Sequence, residues 1–167
     1  NAPSWVIFMG EKETGITWHY VTAGVDEGNI IIQKRCAVDA DVKAYELAER
    51  LMAIACEAFV ECFDAVLKEQ AETKEQGFDA GRRMYRSYEV PADGFFEMAE
   101  EPEHIYRLLR SLDYGKNGIF PPAQTVIDGK RAEVLRYRKV GGSDNRQADS
   151  FLFLPLGADA LLKIKYR

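Results

Sequence analysis

Cysteine is scarce in this 167-residue sequence: Cys36, Cys56 and Cys62 make an odd number, with no C-x-x-C pair among them. Neither a paired disulfide framework nor a zinc site fits that spacing, and a reducing cytosol is the simplest compartment. Long apolar runs are also lacking. The most apolar window, 51–67, is broken by Glu57, Glu61 and Asp64, so nothing approaches the ~20 apolar residues of a membrane span. No basic stretch followed by an apolar core opens the chain, so no secretory signal is seen. Excess positive charge is missing too: the net charge is −5, which excludes a globally basic nucleic-acid binder. Histidine occurs only at His19 and His104, and no Walker loop, H-E-x-x-H, G-x-S-x-G or G-x-G-x-x-G is found.

What remains is an ordinary globular composition, 47% apolar and 29% charged, long enough to bury a core without staples. Charge is uneven along it. Residues 1–75 carry 7 Lys and Arg against 14 Asp and Glu, and the other 92 carry 15 against 13, so the halves differ by −7 and +2. The shift falls on the polar stretch Glu69–Gly77, which reads as a helix end followed by a linker and suggests two units.

In the first part, the β-branched and aromatic runs 15–21 and 29–33 predict strands, with Ile30-Ile31-Ile32 suited to burial on both faces. A glycine-bounded loop, Thr22 to Gly28, joins them. Asp39 or Asp41 is positioned to N-cap a helix over 42–70, about 43 Å long at 1.5 Å per residue. Leu47, Leu51, Ile54, Ala58, Cys62 and Ala65 form its inward stripe and Glu46, Arg50, Glu57, Glu61, Asp64 and Lys68 its other side. Trp5, Phe8 and Trp18 read as core aromatics, and Cys56 and Cys62 as helix packing. In the second part a helix is expected over 102–112, with Pro102 in its first turn and Ile105, Leu108, Leu109 and Leu112 inward. Strands follow at 124–128, 132–140, 150–154 and 160–166, with hairpin-like breaks at Asp128-Gly129-Lys130 and Gly141 to Asn145.

From residue types alone, Asp26 in the glycine-flanked loop and His19 on the preceding strand are a turn residue and a sheet residue. A resemblance adds to that. Gly10 to Val21 (GEKETGITWHYV) followed by Val25 to Gln33 (VDEGNIIIQ) resembles the formyltransferase family that uses 10-formyltetrahydrofolate. That family includes glycinamide ribonucleotide, methionyl-tRNA and nucleotide-aminosugar formyltransferases and the formyltetrahydrofolate hydrolases. Its pattern is G-x-x-x-T-G-(apolar)-(T/S)-(apolar)-H, then a loop, then (apolar)-D-x-G-x-(apolar)-(apolar). Ile105 to Asp113 is similar, more loosely, to the I-x-R-x-I-R-A-L helix opening the C-terminal domain of several members.

The resemblance implies an α/β fold: the C-terminal half of a formyltransferase α/β domain at 1–75, a connecting segment at 76–99, and a small OB-like β-barrel at 100–167. It implies formyl transfer from 10-formyltetrahydrofolate, with no metal, to a primary amine by attack on the formyl carbon, with a proton passing from the amine toward the departing folate nitrogen. Asp26 would be the catalytic Asp, orienting a His and relaying the proton. His19 would support it, and Thr22, Ala23, Gly24 and Val25 would meet the pterin ring through their backbone. The family's Asn and catalytic His lie in an N-x-H-P-S motif some 35 residues before that Asp. Only 25 residues precede Asp26, and none is that motif. The chain is therefore expected to be the C-terminal part of a larger enzyme, inactive alone, cytoplasmic and not membrane-bound. The implied acceptor is an aminosugar nucleotide or an aminoacyl group. Residues 104–139 carry eight Lys and Arg against three acidic residues, which keeps tRNA open as a partner without favouring it. Hydrolysis of the folate and a non-catalytic folate-binding or interaction module stand as alternatives.

Overall fold

The computed structural model describes residues 1–77, 83–142 and 150–167. It is a mixed α/β structure in which the chain falls into two compact units, one of Asn1–Gly10, Asp41–Tyr45 and Ser87–Arg167 and the other of Glu11–Ala40 and Glu46–Arg86.

The second of these carries the strand pair expected near the N-terminus. Strand β1 (Glu13–His19) runs antiparallel to β2 (Ile30–Ala37), in register from Glu13 opposite Ala37 to Trp18 opposite Ile32. His19 then pairs with Ile30, so Ile31 is an extra residue, a bulge at the end of the ladder. The three isoleucines are half-buried, not buried on both faces. Among the described residues β2 has β1 along one side and a single bridge from Ile30 to Lys74. The supposed linker thus pairs back onto the strand: the Ile30 and Lys74 backbones exchange hydrogen bonds of 2.7 and 2.9 Å.

Helix α2 (Ala44–Leu67) begins two residues later and ends three earlier than its hydrophobic period suggests. Neither Asp39 nor Asp41 caps it. Asp39 instead takes the Arg50 guanidinium at 2.8 Å, whose other nitrogen donates to Ala37 O at 3.2 Å, tying the helix to the end of β2. Lys34 pairs with Glu61 at 2.6 Å and Trp18 Nε1 donates to Ala55 O at 3.0 Å. Leu47 and Ala58 are fully buried on the anticipated stripe. Another apolar stripe stands exposed: Met52, Phe59, Val60, Phe63 and Leu67, with exposed Cys56 among them. Spacings of three and four place these on one face. Cys56 is therefore not a packing residue. Trp18 is not core either: it is 39% exposed, its ring lying 5.3 Å from that of Phe59.

The other unit has its core around helix α3 (Pro102–Leu112), whose Ile105, Leu108, Leu109 and Leu112 are buried as the pattern demands. Four antiparallel strands pack with it: β3 (Gln124–Ile127), β4 (Lys130–Gly141), β5 (Phe151–Pro155) and β6 (Ala160–Tyr166), in the order β3-β4-β6-β5. The turn between β3 and β4 has positive φ at Asp128 (50°) and Gly129 (74°), the two-residue turn whose twist suits a hairpin. The second anticipated break lies largely in 143–149, outside the described residues. Phe96, in the connecting segment, is fully buried, and its N–H bonds to Gln124 O at 3.0 Å. One element was not anticipated: helix α1 (Ala2–Met9), with Pro3 in its first turn and Gly10 closing it in a left-handed conformation.

Candidate active site

His19 and Asp26, seven positions apart along the chain, come together. The Nε2 of His19 lies 3.5 Å from Oδ1 of Asp26, with 25% and 53% of the two side chains exposed. That separation is ion-pair range, longer than a well-formed hydrogen bond, and catalytic contacts commonly tighten only with substrate present. The other ring nitrogen, Nδ1, sits 2.9 Å from Tyr20 O. A carbonyl only accepts, so a hydrogen bond there takes the proton on Nδ1, and an ion pair with Asp26 takes a second proton on Nε2. This orients the ring and turns Nε2 toward the carboxylate. The bulge at Ile31 helps aim it, since His19 is the β1 residue at which the register shifts.

Asp26 adopts φ 53°, the left-handed region that asparagine and aspartate enter more readily than most residues. The loop it rides on is closed at its base. Tyr20 N–H donates to Asn29 O at 3.0 Å, Gln76 Nε2 donates to Gly28 O at 2.6 Å, and Asn29 Nδ2 lies 3.4 Å from Thr73 Oγ1. Gly28 is buried, and a side chain there would strike Tyr20 O. Thr22, Ala23 and Val25 are exposed and Gly24 is half-buried. Val21 at 93% and Val25 at 70% present apolar surface to solvent in the segment between His19 and Asp26.

No group of three or more metal-ligating side chains occurs among the described residues, and no described helix is long and apolar enough to cross a membrane.

A second polar cluster, in the other unit, has no counterpart in the sequence reading. The Asp113 carboxylate accepts from Tyr137 Oη at 2.8 Å, from Lys43 Nζ at 2.8 Å and from Gly115 N–H at 3.0 Å. Burial pushes this carboxyl up, but these donors outweigh it and hold it below the usual carboxylate range. Tyr137 is pushed far up by burial and by facing Asp113. Tyr106 is raised to about 12, by burial first and then by Asp41. Beside them Arg110, 5% exposed, donates to Val42 O at 2.8 Å and stacks 4.9 Å from the Tyr106 ring centre. A cavity of about 490 Å³ borders Asp113, Lys43 and Tyr137 and is lined by none of His19, Asp26 or the loop 22–25. Only the pairing of distant segments creates this cluster, so no local motif announces it.

The strand, bulge and aspartate loop coincide with a stretch that a family profile described as "Formyl transferase" matches, residues 1–63. Residues 1–63 belong to the formyl transferase family. Relatives of two kinds resemble the chain beyond that segment. A methionyl-tRNA formyltransferase of Geotalea uraniireducens is 27% identical over 139 residues, covering 83% of this chain and 42% of the relative. A GDP-perosamine N-formyltransferase of Brucella melitensis is 31% identical over 131 residues, covering 78% and 48%. The fold is that of the N-formyltransferase from Helicobacter canadensis, solved with folinic acid and dTDP-3-aminofucose. The TM-score is 0.68 at 13% identity, over 99% of this chain and 60% of that one. The chain thus spans somewhat under half the length of these curated formyl transferase relatives.

Proposed function

We propose that this chain takes part in transfer of a formyl group from 10-formyltetrahydrofolate to a primary amine, carried by an aminosugar nucleotide or an aminoacyl group. The observation that carries this reading is the His19–Asp26 pair at 3.5 Å, on a loop closed by Gly28, in the segment matched to the formyl transferase family. The donor, when bound, supplies an activated formyl carbon. The Asp26 carboxylate accepts the proton that the attacking amine sheds and holds it within reach of the leaving nitrogen. His19 orients that carboxylate through Nε2, its own ring fixed by Tyr20 O. The loop 22–25 receives the pterin through its backbone. In this reading the Asn and second His of the triad come from polypeptide outside these 167 residues, and the chain by itself is inactive. The exposed stripe Met52, Phe59, Val60, Phe63 and Leu67 supports completion of this unit by further polypeptide.

At the level of family modules we read 1–75 as formyltransferase α/β, 76–99 as a connector and 100–167 as an OB-like barrel, of which four strands are described, in a cytoplasmic protein. Relatives acting on methionyl-tRNA and on GDP-perosamine support both acceptor classes. We keep the aminosugar or aminoacyl amine first because the chain is acidic overall, at −5.

The test is a folate-dependent formylation assay on the full-length protein and on the 167-residue chain, with aminosugar nucleotides and methionyl-tRNA as acceptors. Turnover by the full-length protein that needs an amine and disappears in the short chain is the expected result. Formate release without any amine points to hydrolysis, folate binding without either reaction points to a non-catalytic module, and turnover by the short chain refutes its incompleteness.

A further inference from the structure

The polar stretch after α2 is bound to the exit of the Asp26 loop. Ile30 and Lys74 exchange backbone hydrogen bonds of 2.7 and 2.9 Å as an antiparallel pair. In an antiparallel ladder the next such pair falls two residues further along each strand, which places Gln76 opposite Gly28. There a side chain supplies the donor: Gln76 Nε2 donates to Gly28 O at 2.6 Å, in a half-buried contact. One turn of the ladder away, Asn29 Nδ2 lies 3.4 Å from Thr73 Oγ1.

Gly28 is the residue on which the geometry of the His–Asp pair turns. It packs against Tyr20 so closely that a side chain there would strike the Tyr20 carbonyl oxygen. The same oxygen lies 2.9 Å from His19 Nδ1 and fixes the ring. Asp26 stands two residues before Gly28, at φ 53°. On the other side of the glycine, Tyr20 N–H donates to Asn29 O at 3.0 Å. One amide from outside the loop therefore bears on both members of the pair: on His19 through the Tyr20 carbonyl, and on Asp26 through the end of its loop. At 3.5 Å the pair is loosely set. Reacting groups displaced by about 1 Å lose up to about 10²-fold in rate, so a small shift of the loop base is felt at the site.

We infer that Gln76 is a positioning residue for the His19–Asp26 pair. It touches no reacting atom. It acts through the Gly28 carbonyl, holding the loop base so that Nε2 of His19 and the Asp26 carboxylate face each other. Its effect on turnover rests on the formyl-transfer reading of that pair. The stretch with the composition of a linker is thereby part of the frame of the site.

The test compares Gln76→Ala and Gln76→Glu in the full-length protein, with Glu75→Ala at the exposed neighbouring position as a control. Glutamate matches glutamine in size but offers an acceptor where the Gly28 carbonyl needs a donor. Steady-state kinetics, with 10-formyltetrahydrofolate saturating and the amine acceptor varied, is read beside amide hydrogen exchange. Both Gln76 variants should lower kcat by about 10–10²-fold while the KM for the amine stays within about twofold. The Tyr20 amide should exchange about tenfold faster in both, with the amides of α3 unchanged. Glu75→Ala should leave all of these as they are. Faster exchange with kcat intact assigns Gln76 to structure alone and overturns the proposal. So does loss of kcat with Tyr20 exchange unchanged, and so does full activity in Gln76→Glu. If the unaltered protein transfers no formyl group, the formyl-transfer reading fails by itself. Faster Tyr20 exchange in both variants then still upholds Gln76 as the anchor of the pair, and unchanged exchange overturns it.

Discussion

A side chain at position 28 has no room beside Tyr20: a Cβ built on Gly28 would lie 1.7 Å from the Tyr20 carbonyl oxygen. The two residues close the loop that carries Asp26, and the obstacle is backbone, which cannot rotate aside. Gly28→Ala should therefore open the loop base and lower stability by about 1–3 kcal/mol, the usual range for overpacking. At Gly24 a Cβ would meet only the end of the flexible Glu27 side chain, so Gly24→Ala should cost distinctly less. Denaturant unfolding of both variants checks the ranking, and equal losses would contradict it.

Asp26→Asn keeps the shape and the tolerance for φ 53° while removing the carboxylate charge. In the full-length protein it should lower kcat by roughly 10²–10³, the scale of losing one aimed polar group in a transition state, with unfolding nearly unchanged. Near-normal turnover would remove Asp26 from the catalytic role. Asp26→Ala should be less stable than Asp26→Asn by up to ~1–2 kcal/mol, because alanine resists the left-handed region.

The Asp113 hub predicts acid sensitivity. Its folded carboxyl is held below the usual range by Lys43, Tyr137 and Gly115 despite burial. Between that value and the unfolded one near ~3.9, the unfolded chain holds the extra proton, so stability rises with pH there. The contribution is complete above the unfolded value and is lost as pH falls through the folded one. Asp113→Asn should cost about 1.5–3 kcal/mol at neutral pH, the range for hydrogen bonds to a charged group, and should flatten the acid limb of a stability–pH curve. An unchanged limb would assign acid sensitivity to other carboxylates.

Alkaline behaviour follows from the same unit with the opposite sign. Tyr106 is raised to about 12, by burial and then Asp41, and Tyr137 is raised further, by burial and Asp113. Their stabilising contribution is full below the ordinary phenol value near ~10 and drains as pH climbs through the folded ones. In an ultraviolet titration of the eight tyrosines, these two should ionise last, Tyr137 only with unfolding. Tyr137→Phe should remove one late step. Eight tyrosines titrating together near 10 would contradict the burial of this pair.

Thiol labelling separates the cysteines. Cys56 is exposed, Cys62 half-buried and Cys36 buried, so a thiol reagent should modify Cys56 first and Cys36 only on unfolding. If further polypeptide covers the exposed stripe of α2, Cys56 in the full-length protein should be protected relative to the 167-residue chain. Equal rates in both would leave that stripe uncovered.

Local signals were sufficient for most of the regular elements. β-Branched and aromatic runs between turn residues located β1, β3, β4 and β6 to within two residues, and the apolar helix pattern with Pro102 placed α3 at its observed bounds, because these signals act within a few residues of chain. Helix α1 carries no such signal: Trp5 and Phe8 read only as core aromatics, its short β-branched and aromatic run has weak helix propensity, and its packing with α3 rewards a helix there. The burial of Cys56 and Trp18 was misjudged because a helix period names stripes without saying which one a neighbour covers. For the site, residue type and spacing along the chain singled out His19, Asp26 and the glycine loop. His19 reaches to within 3.5 Å of Asp26 beside a bulge, which is a product of strand pairing, with its ring against the neighbouring Tyr20 carbonyl. The Asp113 hub and the Gln76–Gly28 hydrogen bond depend on contacts between residues 24 to 70 positions apart. No short-range pattern encodes such register, and only the tertiary structure decided it.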